Sequence, residues 1–380
     1  MQIPQLVPFR PLVIYLDSSD FSNLSNPEGN QEKKNGIKNK LKSWIDAGQV
    51  EIRYSMTHIM EALPTQESAM ELGRLRLSCI QELCGSKVFV DQITLITNEL
   101  SLPENQEVLN DDGCWFPLSS ILGEFAKESG ETKMLNRKER RLLAAEMRKS
   151  RSDLSFSSEQ EEMSAQFPFK RDKAAKVLKN PNNPDVFQAA LTESLKDLSH
   201  LFTWHEEHWD LKTEFSSILR EFGGGISNIF IDAAQEISGF YAELEMLGES
   251  EQVVDQKIKN FVKAISDDAP QDLANSLRED LAPNAPPVVI GKDNTPAIFV
   301  LSKLLMHNIK SSVIPRQRPR IPKASDLGDV MHALYLPYVD FFRADAATAH
   351  IINSQDFGFR AVVVTSLEKL VDAVGNRLNE

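Results

Sequence analysis

Nowhere in the chain do 18 apolar residues run together, so no membrane-spanning segment is expected. The N-terminal stretch MQIPQLVPFRPLVIYLD lacks a basic region followed by a long apolar run and a small-residue cleavage site, and no secretory signal is read there. Cysteine is scarce. Cys79, Cys84 and Cys114 form neither an even disulfide framework nor a Cys-x-x-Cys pair, which fits a reducing compartment and a cytoplasmic protein. An excess of basic charge is missing too: 42 Lys and Arg stand against 55 Asp and Glu, a net charge of −13. That balance argues against a protein held to nucleic acid by bulk attraction. No internal repeat is evident. HEEHWD, residues 205–210, lacks the His-Glu-x-x-His order and spacing of a zinc protease helix and reads as an amphipathic helix anchored by Trp204 and Trp209.

What is present is a chain of 380 residues, 41% hydrophobic and 26% charged, long enough to bury a sizeable core. Positive charge is concentrated locally. RKERRLLAAEMRKSR (137–151) carries Arg137, Lys138, Arg140 and Arg141 at its start, and RQRPRIPK (316–323) carries Arg316, Arg318, Arg320 and Lys323. Each reads alone as a solvated helix face or a charged loop, or as a patch able to hold a phosphate backbone.

PLVIYLD (11–17) reads as a buried strand, followed by a turn into a helix at SSDFSNL. NPEGNQEKKNGIKNK (26–40) begins as loop. Helical spacing then places Ile37, Leu41, Trp44 and Ile45 on one face, with Gly48 as the stop. VEIRYS (50–55) alternates as a strand, MTHIMEAL reads as a helix, and KVFVDQITLI (87–96) is a third strand candidate. Strands alternating with helices indicate an α/β fold with a parallel sheet. From 98 to 290 the pattern becomes long, charged and helical, an all-α insertion ending near APNAPP (282–287). The α/β alternation then returns: a helix at TPAIFVLSKLLMHNIK, a helix at SDLGDVMHALYL, strands at YVDFFRA and RAVVVTS, and a C-terminal helix. The expected organisation is a first half-domain over 1–97, the insertion over 98–290 and a second half-domain over 291–380.

In a parallel sheet, ligands collect at the carboxyl ends of strands and the adjoining helix starts. Asp17 closes the first strand, Glu61 lies on the helix after the second, Asp329 begins the helix leading into YVDFFRA, and Asp345 closes that strand. Drawn to one edge, four carboxylates would repel unless cations neutralise them, and hard oxygen ligands suit Mg²⁺ or Mn²⁺. Acids at helix N-termini also cap and oppose the macrodipole, which by itself accounts for Asp329 and Asp345. His58 and His332 each lie three residues from one of these acids and can serve as supporting groups, phosphate contacts or structural histidines. Ser18 and Ser19 can assist a metal-bound water or cap the following helix.

VIYLDSSDFSNL, SMTHIMEAL and DVMHALYLPYVDFFRAD together resemble the three acidic motifs of the PIN-like nuclease family. The resemblance covers roughly 10–97 and 295–380, in short motifs whose order carries the likeness. It implies an α/β/α sandwich around a five-stranded parallel sheet, here interrupted by the insertion. It implies a Mg²⁺- or Mn²⁺-dependent endoribonuclease in which a metal-activated water cleaves single-stranded RNA, or single-stranded DNA. Asp17, Glu61, Asp329 and Asp345 would be the metal-binding acids. Asp340 is a fifth candidate, and Asp326, three residues before Asp329, can share its helix face or substitute for it. The two basic segments would contact phosphates. The insertion would shape the channel, bind a regulatory protein or mediate self-association, and family members act in bacterial toxin or defence systems, in rRNA processing and in RNA decay. Two other readings are carried: a catalytically silent PIN-like scaffold whose insertion binds a protein, and a haloacid-dehalogenase-like phosphohydrolase. Against the last, the second acid it requires falls at Ser19.

Overall fold

The structure is a computed structural model that describes residues 10–64, 66–101, 108–110, 115–116, 165–180, 183–208, 250–313 and 324–380, and singly Gly239, Glu243 and Met246. The first half contains β1 (Leu12–Tyr15), α1 (Ser18–Ser25), α2 (Gln31–Asp46), β2 (Val50–Arg53), α3 (Met56–Ala62), α4 (Met70–Cys84), β3 (Val88–Phe89) and α5 (Gln92–Ser101). Then come β4 (Leu109–Asn110), α6 (Arg171–Lys179), α7 (Pro184–Leu195), α8 (Leu198–His208) and α9 (Glu251–Leu281). The chain finishes with α10 (Pro296–Val313), α11 (Ala324–Ala333), β5 (Phe341–Arg343), α12 (Ala346–Ser354), β6 (Val362–Val364) and α13 (Leu367–Asn379).

Four strands form one sheet in the order β2-β1-β5-β6, every neighbouring pair parallel. Parallel strands are covered on both faces, and β1 shows it residue by residue. Ile14 and Leu16 belong to one buried cluster, with Ile52, Leu41 and Phe341. Val13 and Tyr15 belong to the other, with Phe342, Leu301 and Leu334. The two-residue period of a strand sends alternate side chains to opposite cores, so the mixed α/β fold carries helices on both faces. No helix among the described residues is long and apolar enough to cross a membrane.

The expected third strand over 87–96 turns into helix at Gln92. Only Val88–Phe89 is extended; it pairs antiparallel with Leu109–Asn110 and touches the main sheet through a single Tyr54–Val88 bridge. Asp91 decides the change of direction. Its carboxylate accepts from the Thr94 N–H at 3.0 Å and from the Thr94 hydroxyl at 2.7 Å, a helix N-cap, after which Leu95, Ile96, Glu99 and Leu100 bury one face of α5. The described sheet therefore has four strands where five were expected. α2 also starts earlier than its apolar spacing indicates. Asn30 caps it through Lys33 N–H at 3.0 Å, and it ends just before Gly48, whose φ of +66° reverses the chain.

The described residues between 98 and 290 are largely but not purely helical, since they supply β4, and they do not stand apart. Trp115, Phe167, Leu195, Leu201 and Phe202 lie in the same buried cluster as Ile14, Ile52 and Leu77. α8 lies along α4, with the Arg74 guanidinium holding Glu206 at 2.8 and 2.9 Å and the His205 ring bonded to the Pro64 carbonyl at 2.8 Å. Ala274 and Ala282 join the second cluster. Among the described residues, hydrophobic packing runs across the expected boundaries at 97 and 290.

Candidate functional site

β1 and β5 are adjacent and parallel, with Tyr15 opposite Phe342, so their carboxyl ends open at one edge. Asp17 follows β1 by two residues and Asp345 follows β5 by two, on strands roughly 4.8 Å apart. Both also cap helices: Asp17 Oδ1 accepts from Ser19 N–H at 2.7 Å and Asp345 Oδ1 from Thr348 N–H at 2.8 Å. The capping reading of Asp345 therefore holds, and it extends to Asp17, which shares a capping box with Asp20.

Asp329 differs. α11 begins at Ala324, so Asp329 sits more than a turn inside the helix and is not a cap. Burial, then the negative charge of Asp345 and more weakly that of Asp17, raise its carboxyl to about 6, while a Thr348 hydrogen bond pulls it down. Thr348 thus ties the two acids, its N–H on Asp345 and its side chain on Asp329. Asp17 and, more than 300 positions later, Asp345 lie near enough for their charges to act on Asp329.

Glu61 approaches from α3. Burial pushes its carboxyl up, but hydrogen bonding and the charge of His332, with a further bond from Ser18, outweigh this and hold it at about 2. The His332 Nε2–Glu61 Oε2 distance is 3.2 Å. On His332, burial acts to lower the ring's pKa, and the bond to Glu61 turns the net shift upward. Glu61 can reach α11 because residue 328 is glycine: a Cβ there would lie 2.7 Å from Glu61 Oε1. Gly328→Ala is accordingly expected to lower stability at pH 7 through the lost Glu61–His332 contact, offset in part by the helix preference of Ala over Gly, about 1 kcal/mol. The same change displaces the Glu61 carboxylate from His332. Carboxyl-carbon NMR titration should find the Glu61 pKa moved from about 2 back toward its ordinary value.

Among the described residues, Arg343 faces the Asp17 side of the edge. Arg343, the last residue of β5, places Nε 2.8 Å from Asp20 Oδ1 and Nη1 3.7 Å from Asp17 Oδ1, and donates to Ser19 Oγ at 3.1 Å. Asp20 is buried, and burial raises its carboxyl to about 7 against the pull of Arg343. Arg343, Thr348, Gly328 and Tyr15 are not in the acidic motif reading. The sequence signal for Arg343 was its place between buried Phe342 and Asp345; nothing local marks the other three.

Asp340 is not part of this edge. It precedes β5, where its carboxylate accepts from Val13 N–H at 2.8 Å and pairs with Arg10 at 3.0 Å. It clamps the opposite, amino-terminal end of the β1–β5 pair, a strand length from Asp345. The Asp326 side chain lies outside the described part of the structure, as do Arg137, Lys138, Arg140, Arg141, Arg316, Arg318, Arg320 and Lys323.

Among the described residues, no three His, Cys, Asp or Glu side chains stand at metal-ligating spacing. The donor set nevertheless has the chemistry of a hard-cation site: Asp17, Asp329 and Asp345 offer carboxylate oxygens, and their mutual repulsion is of the kind a divalent ion relieves. No family model, curated protein or solved structure matches the chain. Among the described residues, the site is an acidic edge with Arg343 and the buried His332 at its margin.

Proposed function

We propose that the chain is a Mg²⁺- or Mn²⁺-dependent endonuclease on a PIN-like α/β/α fold, acting on single-stranded RNA in the cytoplasm. The observation that best supports this reading is the convergence of Asp17, Asp329 and Asp345 at the carboxyl ends of two adjacent parallel strands, with Glu61 beside them. These four acids would hold the cation, which when bound supplies an activated water and neutralises charge developing on the phosphodiester. Asp17 and Asp345 are held by their cap bonds, and Thr348 fixes Asp329 against Asp345. Arg343 is the near cation able to meet a phosphate oxygen, and the basic segments 137–151 and 316–323 would carry the rest of the backbone.

A second reading, a silent PIN-like scaffold, is favoured by one observation: Glu61 already bonds His332, and Asp17 already lies beside Arg343. The two readings separate in one experiment. Labelled single-stranded RNA and DNA are incubated with the protein and with Asp17→Asn, with and without Mn²⁺. Asn keeps a cap acceptor but not the charge, so cleavage is expected from the wild type with Mn²⁺ and from no other combination. Equal cleavage by both proteins, or none by the wild type on any substrate, overturns the endonuclease reading.

A further inference from the structure

Between Leu16 and Glu61 runs an unbroken line of buried polar groups. His58 Nδ1 accepts from the Ser55 N–H at 3.0 Å, so the proton of this neutral ring is on Nε2, which donates to the Leu16 carbonyl at 2.8 Å. Ser55 Oγ is 3.1 Å from the same Nδ1 and 2.8 Å from the Tyr15 hydroxyl. The Tyr15 hydroxyl lies 2.6 Å from His332 Nδ1, and His332 Nε2 lies 3.2 Å from Glu61 Oε2 and 3.3 Å from Ser18 Oγ. A carboxylate only accepts, so His332 Nε2 must carry a proton. With the ring neutral, Nδ1 is a lone pair to which the Tyr15 hydroxyl donates; with the ring charged, Nδ1–H donates to the Tyr15 oxygen, and in either state the contact fixes the imidazole. Tyr15 is itself immobile: it is fully buried, stacked on Phe342 at 5.2 Å with the rings 4° apart, and packed against Tyr335 at 5.5 Å.

We propose that Tyr15 and His332 are positioning residues for the acidic edge: the fixed phenol sets the orientation of the imidazole, and the imidazole aims the Glu61 carboxylate. The other end of the line, His58, holds the carbonyl that immediately precedes Asp17, so one network sets the placement of two of the four acids. The inference deepens the metal-dependent reading and rests on it for its purpose, though not for its geometry. Histidine and carboxylate partners of this kind, standing behind a ligand, typically change metal affinity by about 10- to 100-fold when removed.

Tyr15→Phe deletes the hydroxyl and keeps the ring stacks. Its crystal structure is expected to show Glu61 turned away from His332, where the wild type keeps the contact near 3.2 Å. Mn²⁺ affinity, followed by the electron paramagnetic resonance signal of free Mn²⁺, is expected to fall about tenfold. His332→Leu should match that loss. His332→Gln should recover much of it, because an amide accepts from Tyr15 and donates to Glu61 at once, and a purely structural role would not produce such a rescue. Glu61 unmoved in Tyr15→Phe, or Tyr15→Phe and His332→Leu binding Mn²⁺ as the wild type does, overturns the positioning role. A wild type that binds no Mn²⁺ sinks the metal reading instead, and the crystallographic comparison still decides whether Tyr15 aims Glu61.

Discussion

Replacing Asp329 by Asn is expected to make the protein more stable at pH 8 and, on the endonuclease reading, to cut RNA cleavage about a thousandfold. The two effects have one origin. Burial and the charges of Asp345 and Asp17 raise the Asp329 carboxyl to about 6, so its ionised form is disfavoured in the folded chain. A carboxyl raised in this way contributes stability that is fully present below its unfolded pKa and is lost as pH rises through the folded value. Asn has nothing to lose and retains an acceptor for Thr348. In EDTA, calorimetry should therefore find Asp329→Asn melting above the wild type at pH 8, with the advantage gone near pH 4. Cleavage moves the other way. Charge stabilisation by a bound cation is worth several kcal/mol, and at about 1.4 kcal/mol per factor of ten the loss of one ligand costs about a thousandfold in rate. A lower melting temperature at pH 8 would contradict the repulsion, and retained cleavage would remove Asp329 from the site.

The second large effect lies away from the acidic edge. Glu99, fully buried on α5, accepts from the N–H groups of Ala297 at 2.7 Å and Ile298 at 3.0 Å, two of the unpaired amides at the start of α10, and from the Tyr338 hydroxyl. Burial raises its carboxyl from 4.5 to about 7, despite these bonds. The same linkage applies: its contribution is complete below pH 4.5 and lost above pH 7. That shift is worth about 3 kcal/mol at 1.36 kcal/mol per pKa unit. Glu99→Gln loses one acceptor and the titration together. Urea unfolding at pH 4 and pH 8 should show the difference between wild type and Glu99→Gln moving by about 3 kcal/mol in favour of Gln at the higher pH. A pH-independent difference would mean that Glu99 does not titrate in the folded range.

Much of the sheet could be read from the chain, because a parallel strand buried on both faces is a short apolar run and little else produces one. β1 and β6 fall inside such runs, β5 carries the Phe341–Phe342 pair, and β2 lies in VEIRYS, which is legible by alternation instead. Residues 87–96 misled for the same reason: a short apolar run does not distinguish strand from buried helix, and the deciding event was a cap bond from Asp91. Asp17, Glu61 and Asp345 were legible as acids just beyond strands or on the helix that follows one. Asp340 was not separable from them, since an acid at the wrong end of a strand looks in sequence like one at the right end. Asp329 was expected at a helix start although the helix expected at SDLGDVMHALYL, like α11 itself, begins four or five residues before it. Tyr15 and His332, 317 positions apart, could not have been paired by any local pattern. Their contact follows from β1 lying beside β5, which is a property of the whole topology.

That topology also sets a schedule. Glu61 precedes its partner His332 by 271 positions, and β1 waits for β5 over a similar span. At about 5–20 residues per second of synthesis, roughly 16 to 66 seconds separate the emergence of the first acid, Asp17, from that of the last, Asp345. On the endonuclease reading, a growing chain carries half a site beside the messenger RNA being translated and the RNA of the ribosome itself. It acquires the second half only when Asp329 and Asp345 have followed.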